Sequence, residues 1–223
     1  VLVVLLSNHP FVDFARSSSS PSSNPSGPIQ FIPAFSDALA FAYIKPTGSP
    51  VTDLTTAQLT AIHGTGPQII GGTVVIGCGI QTGSGTYGTW VGKIALSSGT
   101  DTGTDICNNA GGTGRLQENN SPDLEAKSLL LSSMTSPLCD GVDDSDTTAV
   151  SCENAQLIVG FSASQWIARG NGVGSPDSDL GANGGLGLIN GNAAVSGTAP
   201  NLTPVSAAYL SSFGRTVYYM VDY

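Results

Sequence analysis

Three successive stretches decide the fold of this chain: Thr73-Val74-Val75-Ile76, then Gly83-Ser84-Gly85-Thr86, then Tyr87-Gly88-Thr89-Trp90-Val91-Gly92-Lys93-Ile94. The first predicts a strand and the second a glycine-rich turn. The third predicts a helix, because its apolar residues recur at i, i+3, i+4 and i+7. Such a turn presents unpaired backbone N–H groups at the positive end of a helix dipole, which favours oxyanion binding, and Ser84 and Thr86 add hydroxyls. The alternative is an ordinary capped helix start, in which the hydroxyls satisfy only their own backbone.

The composition of the chain limits the partners it can bind. Of 223 residues only 10% are charged, against about 25% in an average globular protein, and 29 are glycine. Sixteen acidic residues and seven basic residues give a formal net charge of −9. Without a basic patch the chain releases few counterions on binding polyanions, which argues against nucleic acid or an anionic membrane surface. A small anion held by backbone donors remains compatible with this charge.

The cysteines predict disulfides rather than a metal site. They are Cys78, Cys107, Cys139 and Cys152, and none forms a Cys-x-x-Cys pair. With only two histidines, both far from the cysteines in sequence, we expect no zinc site, and nothing else implies a metal or cofactor. An even count in a low-charge chain favours two disulfides and an oxidising compartment. A local Cys139–Cys152 bridge would close the acidic loop 140–146 and leave Cys78 with Cys107, although three pairings, and four free thiols, stay open.

The apolar runs of the chain bear on its location. The opening run 1–6 is too short to span a bilayer, and it lacks the basic flank and cleavage site of a signal peptide. No later run reaches the ~18 apolar residues of a transmembrane helix. We therefore expect a processed or truncated secreted chain, located in the periplasm, at the cell surface or in the medium.

Strand-like and helix-like segments alternate along the chain. Alternation with single helices favours an α/β fold on a mainly parallel sheet, whose ligands bind at strand carboxyl ends near helix N-termini. We expect a polar bend at Ser36-Asp37 between the second and third strands, and a Ser/Pro-rich loop at 16–28. The predicted strands are 11–14, 29–32, 39–43, 73–76, 157–160, 188–189 and 216–221. Five helices are predicted. Two of them follow the capping boxes Thr55/Gln58 and Ser162/Gln165, and a third follows the glycine-rich turn. The fourth starts at Ser121 and the fifth spans 206–213.

Three segments carry a resemblance to a known family: Asp13-Phe14-Ala15-Arg16-Ser17-Ser18, Val51-Thr52-Asp53-Leu54-Thr55-Thr56-Ala57-Gln58-Leu59 and Gly83-Ser84-Gly85-Thr86. In order and spacing they resemble the phosphate-binding proteins of ABC importers, which belong to the type II periplasmic-binding-protein superfamily. The resemblance implies a two-lobed α/β fold with mainly parallel sheets flanked by helices. Residues 1–44 and 195–223 would form one lobe and 45–194 the other.

The resemblance also implies a ligand site in the cleft between the lobes. Ser84, Gly85 and Thr86 would contact the anion at the helix start. Ser17 and Ser18 would contact it from the other lobe. An ABC transporter permease would be the partner protein.

Three departures from the family's pattern stand in this sequence. Ser18 occupies the position of an Asp that accepts a hydrogen bond from protonated phosphate. The family's Arg before the turn is absent, and of the residues that replace it Gln81 offers only a neutral amide. The family's first strand and helix are also missing, since only ten residues precede Phe11-Val12-Asp13. We therefore expect that the chain is a fragment, that another chain supplies this part, or that the lobe has been remodelled. An incomplete N-terminal lobe would expose a strand edge to a neighbouring chain.

Two functions are compatible with these features. The first is an extracellular solute-binding protein for phosphate or a related small oxyanion. The second is a structural subunit of an extracellular assembly that reuses the fold without ligand binding and self-assembles through the exposed strand edge. An enzyme is not expected, because Ser84 lies outside a nucleophile-elbow pattern and His63 is placed to interact with a helix C-terminus.

Overall fold

A computed structural model describes residues 14–17, 29–97, 116, 135–136, 139, 150–173 and 184–222. This part of the chain mixes strands and helices, which confirms the predicted α/β class. Its strands are β1 Phe14–Ser17, β2 Ile29–Ile44, β3 Asp53–Leu54, β4 Gln68–Ile70, β5 Thr73–Gly77, β6 Thr135–Ser136, β7 Val150–Ser151, β8 Gln156–Ser162, β9 Gly184–Leu186, β10 Leu188–Ile189, β11 Val195–Ser196, β12 Thr203–Pro204 and β13 Gly214–Asp222. Its helices are α1 Thr56–Gly64, α2 Gly85–Lys93, α3 Ala163–Gly170 and α4 Ser206–Tyr209.

The main sheet has seven strands in the order β1-β13-β2-β8-β5-β4, and β9 also pairs with β2. Its strands pair antiparallel except at β5–β8, which is parallel. The predicted mainly parallel sheet is therefore wrong for the described residues. The reason lies in the connections: β13 and β8, the neighbours of β2, come from far along the chain. Neighbouring strands are parallel when a single helical crossover connects one directly to the next. The chain does not pass from β2 to β8 or β13 in this way, because several other elements lie between them.

Strand β2 is one continuous element rather than two strands with a bend. Its first part, from Ile29 to Ala38, pairs with β13, and its second part, from Leu39 to Ile44, pairs with β8. The predicted bend at Ser36-Asp37 is therefore wrong. Asp37 stays within the strand because its register partner is Arg215, which neutralises its buried charge. The strand changes its neighbour after the next pair, Ala38 with Gly214.

The helices begin at the predicted caps. Thr55 caps α1 with both hydrogen bonds of the capping box, and Leu54 and Leu59 on either side of it are fully buried. Ser84 caps α2 and Ser162 caps α3. Helix α4 is shorter than the predicted 206–213, because the Ser211 hydroxyl donates to the Ala208 carbonyl and a turn replaces the last helical residues.

Residues 38 to 41 of β2 alternate between two clusters, as the period of a strand requires. The large core holds bulky side chains from α1, α2 and the central strands. The smaller cluster brings α3 and α4 close to the sheet and consists only of alanines, namely Ala38, Ala40, Ala163, Ala194 and Ala208. The largest buried side chains of the main core include Leu39, Phe41, Ile76, Tyr87, Trp90 and Phe161.

One predicted disulfide is present between Cys139 and Cys152. Cys78 is also disulfide-bonded, and its expected partner Cys107 lies outside the described residues. The helix expected from Ser121, the acidic loop 140–146 and most of the serine-rich loop also lie outside them. In the described ranges no helix is both long and apolar enough to cross a membrane.

Candidate functional site

The glycine-rich turn leads directly into α2, as the sequence predicts. The Ser84 hydroxyl oxygen accepts the N–H of Tyr87 at 3.0 Å, so that it caps its own helix. Gly85 and Gln81 are exposed on the same turn. The N–H of Gln81 donates to the carbonyl of Leu116 at 2.9 Å. Ser84 thus has the role expected for an ordinary capped helix start, in which the hydroxyl satisfies only its own backbone. Gly85 is exposed, so its backbone stays accessible to a ligand.

Thr86 makes a contact that could not be predicted from the sequence. Its side chain is fully buried, and its hydroxyl oxygen accepts a hydrogen bond from Nη2 of Arg215 at 3.1 Å. Arg215 belongs to β13, which is remote from the turn in sequence but adjacent to it in the fold. A charged donor therefore lies at the start of α2.

Arg215 is held by Asp37 across the two paired strands. Its Nε and Nη2 atoms lie 2.9 and 2.7 Å from Oδ2 of Asp37, and the two side chains are 8% and 1% exposed. The remaining terminal nitrogen, Nη1, is buried and has no hydrogen-bond partner in the described part of the chain. A guanidinium offers five N–H donors, and a buried donor without an acceptor is costly. This nitrogen is therefore an unsatisfied donor at the centre of the cluster.

Asp37 also connects Arg215 to the start of α3. Oδ2 accepts the hydroxyl of Ser162 at 2.9 Å, and Oδ1 accepts the N–H of Ser164 at 3.0 Å. The Ser162 oxygen in turn caps α3 by accepting the N–H of Gln165 at 3.3 Å. A carboxylate at this position is stabilised by the positive end of the helix dipole.

Two helix N-termini thus meet at one arginine. Helix α2 reaches Arg215 through Thr86, and α3 reaches it through Asp37. The meeting point lies where β2 exchanges β13 for β8. Backbone donors, helix dipoles and a planar cation together form the chemistry that recognises a small oxyanion.

Tyr209 lies in the same electrostatic environment. Burial, together with the charge of Asp37, raises the pKa of Tyr209 to about 12. Its hydroxyl is buried and has no hydrogen-bond partner among the described residues. The neutral phenol is therefore the stable form near the Asp37–Arg215 pair.

The predicted site residues are only partly brought together. Four of them, Gln81, Ser84, Gly85 and Thr86, share the turn before α2. Ser17 lies in β1 opposite Tyr218 of β13, and its side chain is not described. Ser18 lies outside the described residues. In the parts of the chain that are described, no group of three or more His, Cys, Asp or Glu side chains is placed to hold a metal ion.

Four residues of the cluster were not predicted as site residues from the sequence, namely the cation Arg215 and the polar residues Asp37, Ser162 and Ser164. A signal for two of them exists, because Asp37 follows directly after Phe35-Ser36 and precedes an apolar run, and Arg215 opens another apolar run. Opposite charges placed beside two apolar strands are candidates for a cross-strand pair. Nothing local indicates that these two strands are neighbours.

The fold of the chain is similar to that of a solved substrate-binding protein. A protein from Clostridium perfringens, assigned as a phosphate ABC transporter substrate-binding protein and solved with bound phosphate, matches with a TM-score of 0.53 and 13% identity over 94% of this chain and 66% of that one. An ABC-type phosphate transport receptor from Vibrio cholerae matches with a TM-score of 0.49 and 15% identity over 94% of this chain and 67% of that one. PstS from Borrelia burgdorferi matches with a TM-score of 0.47 and 13% identity over 95% of this chain and 68% of that one.

The likeness to the Clostridium perfringens protein establishes the fold and agrees with the resemblance found in the sequence motifs. This chain spans 66% of the length of that protein. No protein-family model matches the chain, and no curated protein matches it.

Proposed function

We propose that the protein binds a small oxyanion, phosphate or a close relative, outside the cytoplasm. The ligand would lie at the turn formed by Gln81, Ser84, Gly85 and Thr86, next to Arg215. The two lobes expected from the sequence, 1–44 with 195–223 and 45–194, would enclose it. Ser17 and Ser18 would approach from the first lobe. Binding rather than catalysis is the proposed activity, and an ABC transporter permease is the proposed partner.

The observation that carries this proposal is the buried, unpartnered Nη1 atom of Arg215. The side chain is 8% exposed, and its other donors are engaged by Asp37 and Thr86. A helix start alone would be explained by its Ser84 cap. A buried guanidinium nitrogen without an acceptor in the described part of the chain is not explained by capping, and an oxyanion at the start of α2 would satisfy it.

Arg215 also supports the proposal at the point where the sequence departs from the resemblance. The turn lacks the arginine that precedes it in the phosphate-binding family, and Gln81 supplies no charge. In this chain Nη2 of Arg215 lies 3.1 Å from the hydroxyl oxygen of Thr86. The cation that the turn lacks locally is thus provided by a distant strand.

Isothermal titration calorimetry with inorganic phosphate and with sulfate tests the proposal. The wild-type protein is expected to bind one of the two anions saturably. Thr86→Val and Arg215→Met should each weaken binding at least tenfold, since each removes a polar contact of the cluster. Thr89→Val is the matched control, because Thr89 lies on α2 but its hydroxyl donates only to the Gly85 carbonyl.

Two results would contradict the proposal. One is the absence of saturable heat with either anion for the folded wild-type protein. The other is an equal loss in Thr89→Val and Thr86→Val, which would trace the effect to the stability of α2 rather than to ligand contact. Circular dichroism of each variant identifies those that fail to fold.

A second candidate function, a subunit of an extracellular assembly, is favoured by one separate observation. Ile32, Phe35 and Tyr219 on β2 and β13 are 47%, 40% and 42% exposed, and Ile32 lies opposite Tyr219 in the strand register. Exposed apolar side chains grouped on one sheet favour association. Multi-angle light scattering should then show growth of particles with protein concentration, without ligand. Ile32→Ser with Tyr219→Ser should abolish that growth.

A further inference from the structure

The carboxylate of Asp37 is bound as a free oxyanion would be. It receives four donors, namely Nε and Nη2 of Arg215, the Ser162 hydroxyl and the Ser164 N–H, at 2.7 to 3.0 Å. One of these donors belongs to the start of α3, where the helix dipole favours negative charge. The side chain is 1% exposed, so water does not share in this coordination. The protein thus supplies an anion of its own to the arginine of the candidate site.

We propose that Asp37 is a built-in oxyanion that competes with an external one for Arg215 and thereby sets the affinity of the site. This inference rests on the proposed function, because it concerns the same arginine. Asp37 cancels the charge of Arg215 and occupies two of its three nitrogens. Only Nη1 is left for a ligand, which must also approach a buried carboxylate.

The charges in this region support competition. An oxyanion at Nη1 and the Asp37 carboxylate would carry like charges in a buried place, where solvent screens their repulsion little. We expect this repulsion to lower the affinity of the site at least tenfold. Removing the carboxylate withdraws the repulsion, restores the full charge of Arg215 and vacates a position lined by the N–H of Ser164 and the hydroxyl of Ser162.

A purely structural role for the pair makes a different prediction. A buried ion pair whose carboxylate is removed leaves an uncompensated cation and lowers stability whatever solute is present. Under competition, by contrast, phosphate enters the vacated position and restores stability, because a ligand that binds only the folded state raises its melting temperature. Chloride at equal ionic strength provides the control for screening.

The experiment compares the wild-type protein with Asp37→Ala, Asp37→Asn and the double variant Asp37→Ala/Arg215→Met. Phosphate affinity is measured by calorimetry and thermal unfolding is followed in phosphate and in chloride. We expect Asp37→Ala to bind phosphate at least tenfold more tightly than wild type and to gain melting temperature saturably in phosphate only. Asp37→Asn, which removes the charge but fills the space, should lie between the two. The double variant should show neither effect.

The outcomes separate the inference from the proposed function. If wild type binds phosphate and neither Asp37 variant binds it more tightly, the competition is wrong and the proposed function stands. If Asp37→Ala binds phosphate and wild type does not, the competition holds and the proposed function is wrong. If no variant binds, both are wrong. If Asp37→Ala is unfolded in both phosphate and chloride, the folded Asp37→Asn variant decides. Tighter phosphate binding by Asp37→Asn than by wild type upholds the inference, and equal or weaker binding overturns it.

Discussion

Gly160 of β8 lies directly against the indole ring of Trp90 of α2. A Cβ atom at position 160 would lie 2.7 Å from both Cγ and Cε2 of that ring, closer than real Cβ contacts allow. Trp90 is 1% exposed, and its ring centroid lies 5.7 Å from that of His63 and 6.2 Å from that of Phe213. The indole cannot move aside without disturbing these neighbours. The missing side chain at Gly160 therefore sets how closely α2 approaches the sheet.

Replacing Gly160 with alanine should consequently lower stability and disturb the turn that precedes α2. The added methyl group forces the helix or the indole outward, and overpacking of this kind costs about 1–3 kcal/mol. Urea unfolding followed by tryptophan fluorescence measures the loss. Because α2 carries Thr86, anion affinity should fall together with stability.

Gly88 provides the matched control on the same helix. It is exposed, and an added Cβ atom would meet nothing within 4 Å. Alanine at this position should leave binding unchanged and raise stability by up to about 1 kcal/mol, since alanine is the better helix former. A loss for Gly88→Ala as large as that for Gly160→Ala would show that the contact with Trp90 is not the cause.

Local features of the fold could be predicted from the sequence because their causes are local. The caps at Thr55, Ser84 and Ser162 each involve residues within three positions of one another. The Cys139–Cys152 bridge spans only 13 positions. The strands of the core follow from apolar runs, since burial requires them.

The candidate site was harder to predict because its main pair is remote in sequence. Arg215 and Asp37 lie 178 positions apart, and only the pairing of β13 with β2 brings them together. The direction of the strands and the continuity of β2 depend on the same long-range pairing. A charged residue such as Asp37 in an apolar stretch is consistent with an exposed bend or with a buried ion pair. The local sequence does not show whether a residue of opposite charge lies opposite it in the sheet.

The disulfide between Cys139 and Cys152 should contribute measurably to stability. It closes a loop of 13 positions, for which the loss of unfolded-state entropy corresponds to about 3 kcal/mol. We expect Cys139→Ala/Cys152→Ala to lose about that amount in urea unfolding. Reductant applied to the wild-type protein should cost more, because Cys78 is disulfide-bonded as well. Equal losses would indicate that the bond at Cys78 adds nothing.

The raised pKa of Tyr209 leads us to expect a loss of stability in alkaline solution. Burial and the charge of Asp37 raise its pKa from 10.0 to about 12, so the folded state holds the proton more tightly than the unfolded state. This contribution is complete below pH 10 and is lost as the pH rises towards 12. Tyr209→Phe should remove it and flatten the alkaline part of the stability curve.

Near-ultraviolet titration of the phenols checks the same prediction directly. The difference between wild type and Tyr209→Phe should titrate near pH 12. At neutral pH the variant should be as stable as wild type, because the Tyr209 hydroxyl has no hydrogen-bond partner among the described residues. A difference titration at the ordinary tyrosine pKa would show that the phenol is not buried near Asp37.

The two serine caps should differ in what their removal costs. Ser84→Ala removes one capping hydrogen bond, to the N–H of Tyr87, and should cost about 1 kcal/mol. Ser162→Ala removes a cap and also a donor to the buried carboxylate of Asp37, so about 2–3 kcal/mol is expected. Exposed Ser196, whose hydroxyl contacts only Thr203, is the control and should change stability by less than about 0.5 kcal/mol. Urea unfolding of the three variants measures the order, and equal losses for Ser84→Ala and Ser162→Ala would mean that the bond from Ser162 to Asp37 does not stabilise the cluster.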